Sequence, residues 1–143
     1  MTGATGVPVP LDVAELVVRQ LRPALSERTD PVAAGVKVST ETGRDANGGP
    51  PSLPWLLIVE DGHDWTWPAV QRAVIRLTCW HRDTHAAKGL AGLALGLLCV
   101  PRPPGAVLRG EPVAAPIAGI DPYTSRPLAT AAAAVYVRTP AHR

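Results

Sequence analysis

Apolar and polar residues change their spacing several times along this chain, and each change marks an element. From residue 73 to 81 the period is two. Ala73, Ile75, Leu77 and Cys79 fall on one side and Val74, Arg76, Thr78 and Trp80 on the other, which predicts a strand with one aliphatic and one amphipathic face. Within three residues the period becomes 3.6. Ala86, Leu90, Leu93, Ala94 and Leu97 form one apolar helical stripe, predicted to lie back on the Ile75/Leu77/Cys79 face, and Asp83 and Thr84 offer a side-chain oxygen at the helix start. Gly89, Gly92 and Gly96 each cost this helix roughly 1 kcal/mol against alanine, which predicts close approach to the sheet or to another helix.

Upstream, residues 1–10 read as an unpacked lead-in, and a helix is predicted from Leu11 and Asp12 onward. Val13, Leu16, Val17, Leu21 and Ala24 share one face, with Glu15, Arg19 and Arg22 opposite. Pro23 is expected to end or kink it, leaving residues 25–28 for a short final turn. A turn at residues 29–31 leads to a predicted strand at 35–40. Residues 41–54 carry three Gly, three Pro and almost nothing apolar, the pattern of a long loop that orders against a partner. The apolar run 54–60 is read as a strand buried on both faces, and 62–68 as a connection. Past the Pro stop at 101–104, short strands are expected at 106–108 and 113–120, with Pro112 and Pro116 moving parts of the latter to an edge or a bulge. Residues 121–127 read as a turn and 128–138 as a strand. Its alanines favour helix by propensity, but the Val-Tyr-Val-Arg ending and the preceding turn favour strand, with Ala129, Ala131, Ala133, Val135 and Val137 on one side.

The 143 residues suit one domain, with no Phe, one Met and four Trp, so the core has to be built from Ala, Val and Leu. One sheet covered by a few helices fits such a thin core. A net charge of +2 with scattered basic residues argues against sequence-specific nucleic-acid binding. The opening MTGATGVPVPLDVAEL lacks the basic and apolar regions of a secretory signal, and residues 90–100 are too short to span a bilayer, so a soluble protein with no membrane role is expected. Cys79 and Cys99 have no ligand spacing and read as buried small hydrophobes in a reducing compartment.

No catalytic constellation stands out. His81, Asp83 and His85, with His63 and Asp64, suggest a metal only by composition, since no familiar spacing links them and Asp83 is taken by the helix start. The His81-Arg82-Asp83 string lacks every other kinase feature. Ser39, Ser52 and Ser125 lack a nucleophile elbow, Glu60, Asp61 and Asp64 sit where solvated acids are ordinary, and Asn47-Gly48-Gly49 is not a phosphate loop. No enzyme activity, cofactor or metal is expected. More unusual is the pairing of Arg76 with Trp80 on the amphipathic face of the 73–81 strand, residue types enriched at protein interfaces. Two readings stay open: a free interaction face, or a face covered by the first helix from which Arg76 reaches solvent. Trp55, Trp65 and Trp67 either plug the ends of the core or anchor a partner.

The order of parts resembles the tail terminator proteins of long-tailed bacteriophages. That likeness runs from about Asp12 to Arg138 and rests on residues 72–80 passing into the 86–98 helix, on the 121–127 turn, and on the closing Val135-Tyr136-Val137-Arg138. It implies an α/β (α+β) fold in which a single mixed, largely antiparallel sheet carries two main helices on one side. It further implies a homo-hexameric ring that caps the tail tube, ends tail polymerisation and joins the head. The implied partners are copies of itself, the tail tube protein and a head-completion or stopper protein. DNA would pass through the ring without sequence-specific contacts, and the protein would reside in the virion neck after assembly in the host cytoplasm. Arg76 and Trp80, with Arg44, Asn47 and Trp55 in or beside the long loop, are the expected ring interface. Another head-tail connector ring protein, or a small cytoplasmic α/β ligand-binding domain, remains as an alternative. Pro112, Pro116 and the alanine run depart from the family pattern and put strand boundaries in question.

Overall fold

The computed structural model describes residues 6–42, 49–101 and 106–142. In chain order these form β1 (Val7–Pro8), α1 (Val13–Ser26), a 3-10 turn (Pro31–Ala33), β2 (Lys37–Ser39), β3 (Trp55–Thr66), β4 (Val70–Trp80), α2 (Thr84–Cys99), β5 (Val107–Ile120), β6 (Pro127–Arg138) and β7 (Ala141–His142).

Both helices start where a side chain caps them. The Asp12 carboxylate accepts from the Glu15 amide at 3.2 Å, and that of Asp83 from the Ala86 amide at 2.7 Å. Bonding to the Ala86 amide holds the Asp83 carboxyl below its usual range. Pro23 does not end α1, which continues through it to Ser26. The lost N–H costs one late helical bond, while Leu21 and Leu25, buried on either side, hold the last turn on the core.

Five strands make one mixed sheet in the order β2-β3-β4-β6-β5, with β2 parallel to β3 and every other pair antiparallel. A two-stranded ribbon pairs β1 with β7. Both helices lie on the same side. α2 packs over β4, β5 and β6, and α1 over β2 and β3 and against α2. Val17 and Leu21 of α1, Leu90 and Leu98 of α2, and Leu56, Ile58, Ile75 and Leu77 of the sheet share one core. The small side chains of Ala129, Ala131 and Ala133 are covered where α2 sits. The α+β architecture read from the sequence is therefore the observed one, and residues 127–138 are strand despite their alanines.

Several boundaries differ. The run 54–60 is not buried on both faces, because Leu56 and Ile58 point to the helices while Trp55, Leu57 and Val59 are only half-covered on the other side. β3 also continues to Thr66 through residues read as a connection, with an irregularity between Glu60 and Gly62 that leaves Asp61 out of the ladder. Val107–Ile120 form one edge strand whose register slips three times, two of the slips adjoining Pro112 and Pro116. The glycines of α2 do not mark close approach. A Cβ at Gly89 or Gly92 would meet its nearest neighbour at 3.6 Å, an ordinary contact, and one at Gly96 would meet nothing. The close approach lies at Gly110 in β5, where a Cβ would stand 2.3 Å from the Leu98 carbonyl oxygen.

Candidate interaction face

With both helices on one side, the other side of the sheet carries no second layer among the described residues. Strand pairing arranges its side chains in rows. Leu57, Thr78, Thr130 and Ile117 form one, Val59, Arg76, Ala132 and Ala114 the next, followed by Val74, Ala134 and Glu111, and then by Asp64, Arg72, Tyr136 and Arg109. Small and aliphatic side chains alternate with threonines and with charges of both signs, Arg76 in the middle rows among them.

Those charges are paired. Arg76 reaches Asp61, displaced by the irregularity in β3, at 3.5 Å, and Arg72 reaches Asp64 at 3.8 Å. Tyr136 anchors the far row. Its ring lies 4.2 Å beneath the Arg109 guanidinium, its hydroxyl accepts from Arg72 Nε at 3.2 Å, and the same hydroxyl donates to Glu111 at 3.3 Å. Arg109 also pairs with Glu111 at 3.2 Å. These side chains are at least a third exposed, so each pair contributes about 0–1 kcal/mol to folding, and their main effect is to pattern the surface.

The five residues expected at an interface separate into three groups. Arg76 lies exposed on this face, so α1 does not cover it. Trp80 shares the face but is only 9% exposed, and its indole N–H donates to Asp121 Oδ2 at 2.9 Å. It therefore pins the turn between β5 and β6 instead of presenting a ring to a partner. Burial would raise the Asp121 carboxyl, but bonds from the Tyr123 amide, the Trp80 indole and Thr124 outweigh it and lower the pKa. Trp55, directly opposite Trp80, is half-buried and donates to Ser39 Oγ at 3.1 Å. Arg44 and Asn47 lie outside the described residues, as does the 43–48 stretch of the loop that contains them.

Several other chemistry-bearing residues are engaged within the fold. His81 is 4% exposed, with Nε2 donating to the Val32 carbonyl and Nδ1 accepting from the Arg82 amide, both at 2.9 Å. No three His, Cys, Asp or Glu side chains converge as a metal would require among the described residues. Burial pushes the Cys79 thiol up to about 12. Sequence reasoning passed over Gln71, a fully buried amide that bonds both backbone groups of Leu11 and also His63 Nε2. Its only signal was a polar residue on the aliphatic side of β4. Two aromatic rings stand out from opposite ends of the sheet: Trp67, 68% exposed between β3 and β4, and Tyr123, 87% exposed between β5 and β6. No helix among the described residues is long and apolar enough to cross a membrane.

A scan against protein-family models finds no match to this chain, and a search of curated proteins finds none either.

Proposed function

We propose that this chain is the repeating subunit of a ring that caps a bacteriophage tail tube, ends its polymerisation and provides the surface to which the head joins. One observation carries this reading: a sheet layered with helices on one side and open on the other. Antiparallel sheets commonly leave one face to solvent, and here that face mixes aliphatic side chains with paired charges, a composition suited to a protein contact. A neighbouring copy would supply the missing layer through a head-to-tail contact of two different patches, the kind that closes into a ring. Trp67 and Tyr123, at opposite ends of the sheet, offer separate contacts to a tube protein on one side and a head-completion protein on the other. DNA passage through the ring and residence in the virion neck follow from the same reading.

Electron microscopy of particles from a phage or prophage lacking this reading frame tests the proposal. Overlong tails detached from filled heads are expected. Tails of normal length beside leaking heads would move the protein to the head side of the neck, and intact infectious particles would overturn the reading. At subunit level, Arg76→Ala, which removes one half-exposed ion pair, should leave the melting curve nearly in place and weaken assembly on the tube.

A further inference from the structure

We propose that a groove beside β2 binds an extended, acidic peptide segment of another protein. The site lies at the sheet edge formed by β2, where Lys37 and Trp55 project on the side away from the helices, and it does not depend on the ring reading.

The groove encloses about 690 Å³ between the C-terminal half of α1, the 3-10 turn and β2. Leu25, Ala33 and Val36 supply an apolar floor, while Arg22, Lys37 and Trp55 form its walls. Parallel pairing turns alternate residues of β2 toward and away from β3. The Lys37 amide donates to the Pro54 carbonyl at 3.1 Å, so the backbone groups of Lys37 face β3 and those of Val38 face outward. The Val38 carbonyl is already taken by Arg22 Nε at 2.9 Å. Its amide N–H faces the same outer edge and has no acceptor among the described residues.

Charge decides what kind of chain fits. Arg28 is bound to Asp30 at 2.6 Å, but the outer guanidinium nitrogens of Arg22 and the Lys37 ammonium have no partner among the described residues. Among the described residues, no acidic side chain lines the groove. An extended peptide would place a backbone carbonyl on the Val38 amide. A carboxylate beside it would meet Arg22, whose Nε is committed but whose fork is otherwise free, and a second would meet Lys37 on the other side of the strand. Apolar side chains at alternate positions would lie on Leu25 and Val36. The opposite edge of the sheet offers nothing similar, since Pro112, Pro116 and three register slips interrupt β5. With three residues in β2, the contact has few backbone bonds and depends chiefly on charge, so binding should be modest and sensitive to salt.

The probe is a fluorescein-labelled, terminally blocked octapeptide alternating Glu and Val, titrated with the whole chain and followed by anisotropy. Saturable binding is expected, weakened at least tenfold by Lys37→Glu with an unchanged melting temperature, and weakened again by 0.5 M NaCl. Amide shifts in nuclear magnetic resonance spectra should centre on Val38. Lys37 is exposed, and Lys37→Gln serves as a milder variant, expected to weaken binding less than the charge reversal. Absence of saturable binding, equal binding of a Lys/Val octapeptide, indifference to Lys37→Glu, or shifts located away from Val38 would each overturn the proposal.

Discussion

Replacing Asp121 by alanine isolates the bond that fixes the turn between β5 and β6. In the native protein one carboxylate oxygen accepts from the Trp80 indole at 2.9 Å and the other from the Tyr123 amide at 2.8 Å. Thr124 also bonds this carboxylate, and the losses are unequal. Tyr123 is exposed, so water replaces the carboxylate at its amide at little cost. Trp80 is 9% exposed, and its indole N–H would be left buried without an acceptor, a penalty of about 1–3 kcal/mol. Together the losses amount to about 1–3 kcal/mol at pH 7, or a fall in melting temperature of about 3–10 °C for a chain of this size. Urea denaturation followed by tryptophan fluorescence measures the change. Trp80→Phe removes the donor, so Asp121→Ala should cost about 1.5 kcal/mol less in that background than in the wild type. The pH dependence has a defined sign. Because the native pKa is lowered, the carboxylate's contribution is complete above the unfolded value of about 3.9, declines as pH falls, and is lost below the native value. The gap between wild type and Asp121→Ala should therefore narrow in acid. A loss under about 1 kcal/mol at pH 7, or equal losses in the wild-type and Trp80→Phe backgrounds, would refute the reasoning.

Three other perturbations have definite signs. Gly96→Ala puts a methyl group into open space in the interior of α2 and should raise stability by about 1 kcal/mol, read as a higher urea midpoint. Gly110→Ala places a methyl 2.3 Å from the Leu98 carbonyl oxygen and should lower stability by about 1–3 kcal/mol in the same assay, because the obstacle is backbone. Cys79, buried and with its thiol pushed up to about 12, should resist iodoacetamide at pH 8 in the native protein and react once urea unfolds it, as peptide mass mapping would show.

How much of this was legible in the sequence depends on the range of the interaction that decides each feature. Helix starts are local: Asp83 was legible as a cap and Leu11-Asp12 as a helix start, and in both places the acceptor stands three residues before the amide it binds. The β4 strand was legible because Ala73, Ile75, Leu77 and Cys79 alternate without interruption. The extension of β3 to Thr66 was not, because residues 60–64 are charged, polar or Gly, and what holds them extended is the ladder to β4. Pro23 misled for a similar reason, since local geometry argues for a break while Leu21 and Leu25, anchored in a core built from distant strands, keep the helix going.

The candidate sites divide along the same line. Residue type directed attention to Trp80 and Arg76 together, yet only the fold separates them, because the acceptor that buries Trp80 comes from Asp121, forty-one positions away in the chain. Arg76 stays exposed because its partner Asp61 lies on the same open side and no helix crosses it among the described residues. The groove beside β2 has no sequence signature at all. It depends on Arg22 of α1 reaching the carbonyl of Val38, sixteen residues on, and on parallel pairing turning the amide of Val38 outward. A periodicity reading detects which face of an element is dry, and so it finds the core, while leaving open whether the opposite face of β4 is covered. It cannot detect which backbone group an edge leaves open, because that is fixed by register, and register belongs to pairs of strands.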